Sequence, residues 1–278
     1  MTSLVGLRFF INRTMAIWNT VLQKLNNNNT QQYEVVMLAD KDGNILNSSG
    51  AASNIPIAAG EVGGYSHINK FGYSNDIRNL STIWDGSNIY TYSSSAGVVT
   101  VSGTTADDSA VIEIQGLDAN YNVVVQDVTL DGGGDGTAAT DLIRIFRARV
   151  KIPAAGETTN AGLLDILIDG NVRAKILADK GQTLMAIYTV PAGKTAYLLN
   201  LSLSIDKSQD AIYKLMAKPH NDGAFNIKGQ FGTFASPIDH NYPVPLRFEE
   251  KTDIEVRASA GNSCGGGATF DLILIDNN

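Results

Sequence analysis

The sequence predicts a mainly β protein: an antiparallel β-sandwich of jelly-roll-like kind, preceded by an N-terminal helix and an extended arm. Three observations predict it. Beyond residue 95, about ten short runs of alternating apolar character follow one another, separated by Gly, Asp, Asn or Pro. No long stretch of helical period lies between them, so parallel strands with crossover helices are disfavoured and sheets packed face to face remain. Finally, the chain of 278 residues is 44% hydrophobic and only 18% charged, below the roughly 25% of an average globular chain. That is enough apolar content for one large core or two smaller ones, in a background rich in turn residues.

Taken in order, the first element is a helix. Ile11, Met15, Trp18, Leu22 and Leu25 recur at spacings of four and three, which places them on one helical face. The run Asn26 to Asn29 ends it, because asparagine tolerates left-handed backbone and competes for backbone hydrogen bonds. An apolar stripe of this kind packs on its own domain or docks on a partner. Next, "YEVVMLADKDGNIL" reads as a hairpin of Tyr33–Ala39 and Asn44–Leu46 turned at Asp42-Gly43. The following "NSSGAASNIPIAAGEVGG" offers few anchors and reads as an arm or linker. Residues 1–64 therefore form the helix and arm, and residues 65–278 the β-domain, with a possible subdivision near residue 155.

At the start of that domain stands "FGYSNDIRNLSTIWDGSNIYTY", residues 71–92, dense in aromatics and turns. Asp85-Gly86 reads as a turn. Trp84, Tyr90 and Tyr92 read as the plug where arm meets sheet, or as stacking platforms for a sugar.

Two later stretches allow a sharper reading. In "RARVKI", Ala148, Val150 and Ile152 alternate with Arg147, Arg149 and Lys151, so one strand face is basic. That face is either solvated and balanced by acidic neighbours or meets an acidic partner, including another copy of this chain. In "LLDILIDGNVRAKIL", a three-residue loop Asp169-Gly170-Asn171 pairs Leu164 with Ile176, Ile166 with Ala174, Ile168 with Val172, and Asp165 with Lys175. The left-handed position would then fall on Asn171.

The formal net charge of −7 argues against nucleic acid or an anionic membrane as partner, since phosphate binding is supplied by clustered Lys and Arg. No run reaches the length of a membrane span, and the first residues lack the pattern of a secretory signal. Cys264 is the single cysteine, set in the glycine-rich "SCGGGATF"; a loop before the last strand explains it better than a nucleophile does. His67, His220 and His240 lie apart, without metal-ligand spacing. Asp40, Asp42 and Asn44 imitate the start of a calcium loop, but Ala51 occupies the position of the bidentate Glu. Asp131 to Gly136, "DGGGDG", reads as a tight turn. No cofactor and no enzymatic activity are expected.

The order "GYSHINKFGYSNDI", "IWDG", "YTY", "VTVSGTTADD", "VIEIQGLDANYN", "VTLDG" and "FRARV", over roughly residues 62 to 150, resembles a group of structural proteins of tailed bacteriophages, many from marine and cyanobacterial viruses. The resemblance implies a virion component with no catalytic role. Together with the acidic charge and the arm, it favours a capsid cement or decoration protein, assembled in the host cytoplasm onto the outer head surface. Its partners would be the major capsid protein or other virion proteins and further copies of itself, where a trimer would match local capsid symmetry. A tail, collar or baseplate component is the alternative, and a receptor- or glycan-binding module the alternative from another class.

Overall fold

A computed structural model of the chain describes residues 18–26, 29–39, 45–46, 55–206 and 209–277. It divides into two compact units, Met1–His67 and Ile68–Asn278. The first holds β1 (Trp18–Asn26), β2 (Asn29–Ala39), β3 (Ile45–Leu46) and the single-turn α1 (Ile55–Ala58). β1 and β2 pair antiparallel from Trp18↔Met37 through Leu22↔Tyr33 to Asn26↔Asn29, and β2 pairs with β3 through Leu38↔Leu46 and Ala39↔Ile45.

The expected helix is thus a strand from Trp18 onward. A spacing of four is even, so Trp18 and Leu22 suit a strand of period two as well as a helix, and Trp, Thr and Val are strand formers. The asparagine run that was to stop a helix instead joins two strands through a two-residue connection. Ile11 and Met15 lie outside the described residues. The β2–β3 pairing agrees with the expected hairpin, although β2 begins earlier, at Asn29.

The second unit begins within β4 (Tyr65–Ser74) and continues with β5 (Ser81–Thr82), β6 (Val99–Ser102), β7 (Val111–Leu117), β8 (Val123–Thr129), β9 (Gly136–Thr137) and β10 (Arg144–Ile152). β11 (Leu164–Ile168), β12 (Asn171–Ile176), β13 (Ile187–Thr189), β14 (Lys194–Ile205) and β15 (Asp210–Lys218) follow. β16 (Asn226–Phe234), β17 (Ile238–Phe248), β18 (Asp253–Ala260) and β19 (Gly266–Asp276) complete it. The protein is mainly β, and the strand pairs among the described residues are antiparallel.

Four sheets result, ordered β10-β7-β8, β12-β11-β6-β9, β13-β18-β15-β16 (with β5 beside β18) and β17-β14-β19-β4. The first two close on one apolar core containing Val99, Ile112, Ile114, Ile145, Leu164 and Ile166. The last two close on another containing Tyr188, Leu201, Tyr213, Leu215, Val256 and Phe270. Each core is built by period-two alternation. In β11 the residues Leu164, Ile166 and Ile168 are buried between half-exposed Asp165 and Leu167. The two cores interleave along the chain: Trp84, Tyr90, Met185 and Ile187 join the first, while Leu117, Tyr121, Ile143 and Phe146 join the second.

The β11–β12 hairpin keeps three of the expected pairs, Leu164↔Ile176, Asp165↔Lys175 and Ile166↔Ala174, but then shifts register to Leu167↔Val172 and Ile168↔Asn171. The loop is therefore the two residues Asp169-Gly170, with φ of 48° and 73°, as a type I′ turn requires. The bulge that the longer loop was to supply lies inside β12 instead. Asp is among the few residues that tolerate left-handed backbone, and the Asp169 carboxylate accepts the Val98 N–H at 3.0 Å. Asn171 is inside the strand.

Candidate functional site

The aromatic segment after β4 is an internal seal. Trp84 bridges to Met185, and its Nε1–H donates to the Asn88 carbonyl at 2.9 Å. Trp84 meets Tyr90 edge-on at 5.1 Å, and Tyr90 meets Tyr92 likewise at 4.8 Å. Trp84 and Tyr90 are each 5% exposed, so neither offers a free face for a sugar to stack on. Gly86 has no alternative residue here, since a Cβ would come within 2.0 Å of the Trp84 ring. Between them Asp85 is buried; its Oδ2 accepts the Leu184 N–H at 2.7 Å while Oδ1 has no partner. Burial pushes this carboxyl up to about 7, against the opposing pull of the Leu184 hydrogen bond and of Lys180 and Lys175.

Tyr92 leads from this seal into a charged seam between β10 and β18. Arg144 on β10 donates to both carboxylate oxygens of Asp253 on β18, at 2.8 and 3.0 Å, and to the Ser93 carbonyl at 2.6 Å. Asp253 also accepts the Thr189 hydroxyl at 2.6 Å, and Lys218 stands 3.8 Å away. Two residues further along β18, Glu255 accepts the Tyr92 hydroxyl at 3.0 Å and pairs with Arg257. Aromatic rings sit between the cations: Arg144 lies 5.0 Å from the Tyr92 ring, and Arg257 and Lys218 lie 4.8 and 5.4 Å from Phe225. Lys251 and Arg144 flank Tyr121 at 5.6 and 5.7 Å.

The electrostatics follow from this burial. Burial raises the Glu255 carboxyl, although Arg257 pulls the other way. Tyr92 is held well above its ordinary value by burial and the neighbouring carboxylates. For Arg144 burial opposes the charge, but the Asp253 bond prevails and its affinity for the proton rises. Arg144 and Lys218 face Asp253 and Arg257 pairs with Glu255, so the seam is a cluster of charges paired within the fold. Sequence reasoning missed it because its members run from residue 92 to residue 257 with no local pattern.

The basic face expected at Arg147, Arg149 and Lys151 is present on β10, and it is balanced from within. Arg149 makes a bidentate pair with Glu113 at 2.9 and 2.8 Å. Lys151 pairs with Asp127 at 2.6 Å, and Arg147 donates to Gln182 at 3.0 Å. The rows Arg149–Glu113–Asp127 and Arg147–Gln115–Val125 run straight across β10, β7 and β8. The Arg149 bond holds the Glu113 carboxyl down at about 2. Nearby, Lys70 is buried with its ammonium on the Phe146 carbonyl, and burial together with Arg147 lowers it to about 7.

The remaining expected residues are dispersed. Trp18, Leu22 and Leu25 lie on β1 of the first unit, while Asp40, Asp42 and Asn44 fall outside the described residues. Asp131 and Asp135 bridge each other across a glycine turn whose Gly133 and Gly134 N–H groups donate to Asp108, so that loop binds a carboxylate from its own chain. Cys264 is buried. His220 packs edge-on against Tyr121 at 5.2 Å, and His240 lies between Phe231 and Tyr242. Among the described residues no three His, Cys, Asp or Glu side chains are grouped as a metal site would need.

These features define a mainly β protein of antiparallel sheets around two apolar cores, sealed by aromatics and crossed by a charged seam. No family model matches the chain, and no curated protein matches it significantly.

Proposed function

We propose that this chain is a structural protein of a tailed-bacteriophage virion, a cement or decoration protein that binds the outer head surface and bridges capsid subunits. Its function is carried by surfaces and not by turnover. The observation that carries the reading is the pairing of the later sandwich. β4 with β19, β13 with β18, β14 with β17 and β15 with β16 are nested pairs of one long hairpin, rolled so that β14 and β19 touch in one sheet and β15 and β18 in the other. This nesting supports a jelly roll, an architecture recurrent in viral capsid and lectin domains. A fold hosts many functions, so the sequence resemblance and the separate N-terminal unit are the further supports for the virion role.

A bridging subunit gains from multivalency, with one unit on each neighbour. The test is deletion of residues 1–64, which retains β4 and the whole β-unit. The truncated protein is expected to keep a β-rich far-ultraviolet spectrum and the melting cooperativity of the second unit while losing binding to empty heads in a sedimentation assay. Undiminished binding would sink the bridging role. Imaging intact particles separates this reading from a tail, collar or baseplate position: density on head symmetry axes supports it, and density on the tail axis replaces it.

A further inference from the structure

The outer face of the sheet β17-β14-β19-β4 carries a groove of about 320 Å³, lined among others by Tyr73, Ser202, Ser204, Asp239, Gly267 and Thr269. Its floor follows from strand alternation. Leu201, Leu203, Ala268 and Phe270 turn into the core, which leaves Ser202, Ser204 and Thr269 outward. Register then aligns them: Ser202 stands opposite both Asp239 on β17 and Thr269 on β19, and Ser204 stands opposite Gly267. Asp239, Ser202 and Thr269 thus form a polar row straight across three strands. Among the described residues, none of these hydroxyls, nor the Asp239 carboxylate, is used by a hydrogen bond within the fold.

Beside that row lies an aromatic ring. Tyr73 is laid along the glycines of β19 and the turn before it: a Cβ at Gly265 would come within 2.0 Å of its hydroxyl, and one at Gly267 within 3.8 Å of its ring. Its hydroxyl is tied to Asp206. The run "CGGG" is therefore explained on both faces, since a Cβ at Gly266 would strike the buried Tyr213 hydroxyl at 2.4 Å. The glycines lower the floor and hold the ring half-exposed beside the hydroxyls.

We propose that this groove binds a neutral saccharide. A sugar ring presents adjacent hydroxyls that both donate and accept, which Ser and Thr hydroxyls and a carboxylate match, and an apolar C–H face, which an aromatic ring matches. Asp239 and the neighbouring Asp206 make the groove unsuitable for phosphate or carboxylate ligands. Its volume is at the small end of ligand sites and takes on the order of one or two pyranose rings. The site differs from Trp84 and Tyr90, whose faces are covered, and it does not depend on where the protein sits in a particle.

The experiment titrates the full-length protein with tetrasaccharides of glucose, N-acetylglucosamine, mannose and galactose, following amide resonances by NMR. Saturable shifts confined to the groove, with Kd of about 1 mM for at least one sugar, are expected. Ser202→Ala with Thr269→Val should weaken that binding by roughly tenfold or more while leaving the melting curve unchanged, because both side chains face outward. Spermidine is the control for a merely acidic groove. Saturation by spermidine alone, no saturation by any of the sugars, or sugar binding unaltered in the double variant overturns the proposal.

Discussion

Replacing Arg144 by Met tests whether the seam holds together the sheets that carry β10 and β18. The substitution keeps the length of the side chain but removes both bonds to Asp253 and the bond to the Ser93 carbonyl. Asp253 is 2% exposed and would keep only the Thr189 hydroxyl and the more distant Lys218. Breaking one partner out of a buried ion pair costs about 3 to 5 kcal/mol, because the other charge stays buried without compensation. For a unit of this size, each kcal/mol moves the melting temperature by about 2 to 4 °C, so a drop of roughly 6 to 20 °C is expected. Urea unfolding and scanning calorimetry measure both quantities. Adding Asp253→Asn to the Met variant removes the orphaned charge and should restore at least about half of the loss, a non-additivity that neighbours in one network show. If Arg144→Met costs less than about 1 kcal/mol, or if Asp253→Asn adds to the damage, the seam does not hold these sheets together.

Two buried groups give pH tests of opposite sign. Asp85 has a folded-state value of about 7 against an ordinary 3.8, so between about pH 4 and 7 the folded protein keeps a proton that the unfolded chain has released. Its contribution to stability therefore falls as pH rises through that window, and the penalty is complete above 7. Asp85→Asn should be more stable than wild type at pH 8 and close to it at pH 4, in parallel urea titrations; an equal gain at both would assign the effect to packing. Lys70 is lowered from 10.5 to about 7, so its penalty is complete below 7 and fades between 7 and 10.5. Lys70→Met should exceed wild type most at pH 6, with the gap narrowing towards pH 10, and a gap that widens with pH contradicts the assignment.

What the residues disclosed in advance depended on how local the physics is. Strands such as β7, β10, β11 and β19 were legible because β-branched residues alternate within five to eleven positions. β16 and β17 were not, since glycines interrupt one and Pro243 and Pro245 the other, and both are edge strands, where such residues are tolerated. The β11–β12 register was readable from Asp165 and Lys175, whose opposite charges select it, whereas the turn was decided by the left-handed tolerance of Asp169. The alternation in "RARVKI" located a basic face but not the Glu113 and Asp127 that balance it, because those come from other strands. Arg144 was read only as part of a strand, and the groove residues Ser202, Ser204, Thr269 and Gly267 carry no sequence signal until register brings them side by side.

The place of β19 in its sheet also sets a schedule. It lies between β14 and β4, yet it is made after both. As the chain leaves the ribosome, β6 to β12 are contiguous and can close their own core early, while β4 waits for a neighbour about two hundred residues downstream. Until Gly266–Asp276 emerges, β4 and β14 each present an unpaired edge to the cell. A nascent chain stalled before that point would carry one core largely closed and a second open to aggregation. Rapid completion of the last strand, and any chaperone that shields those edges, would therefore determine yield more than the stability of the finished protein does.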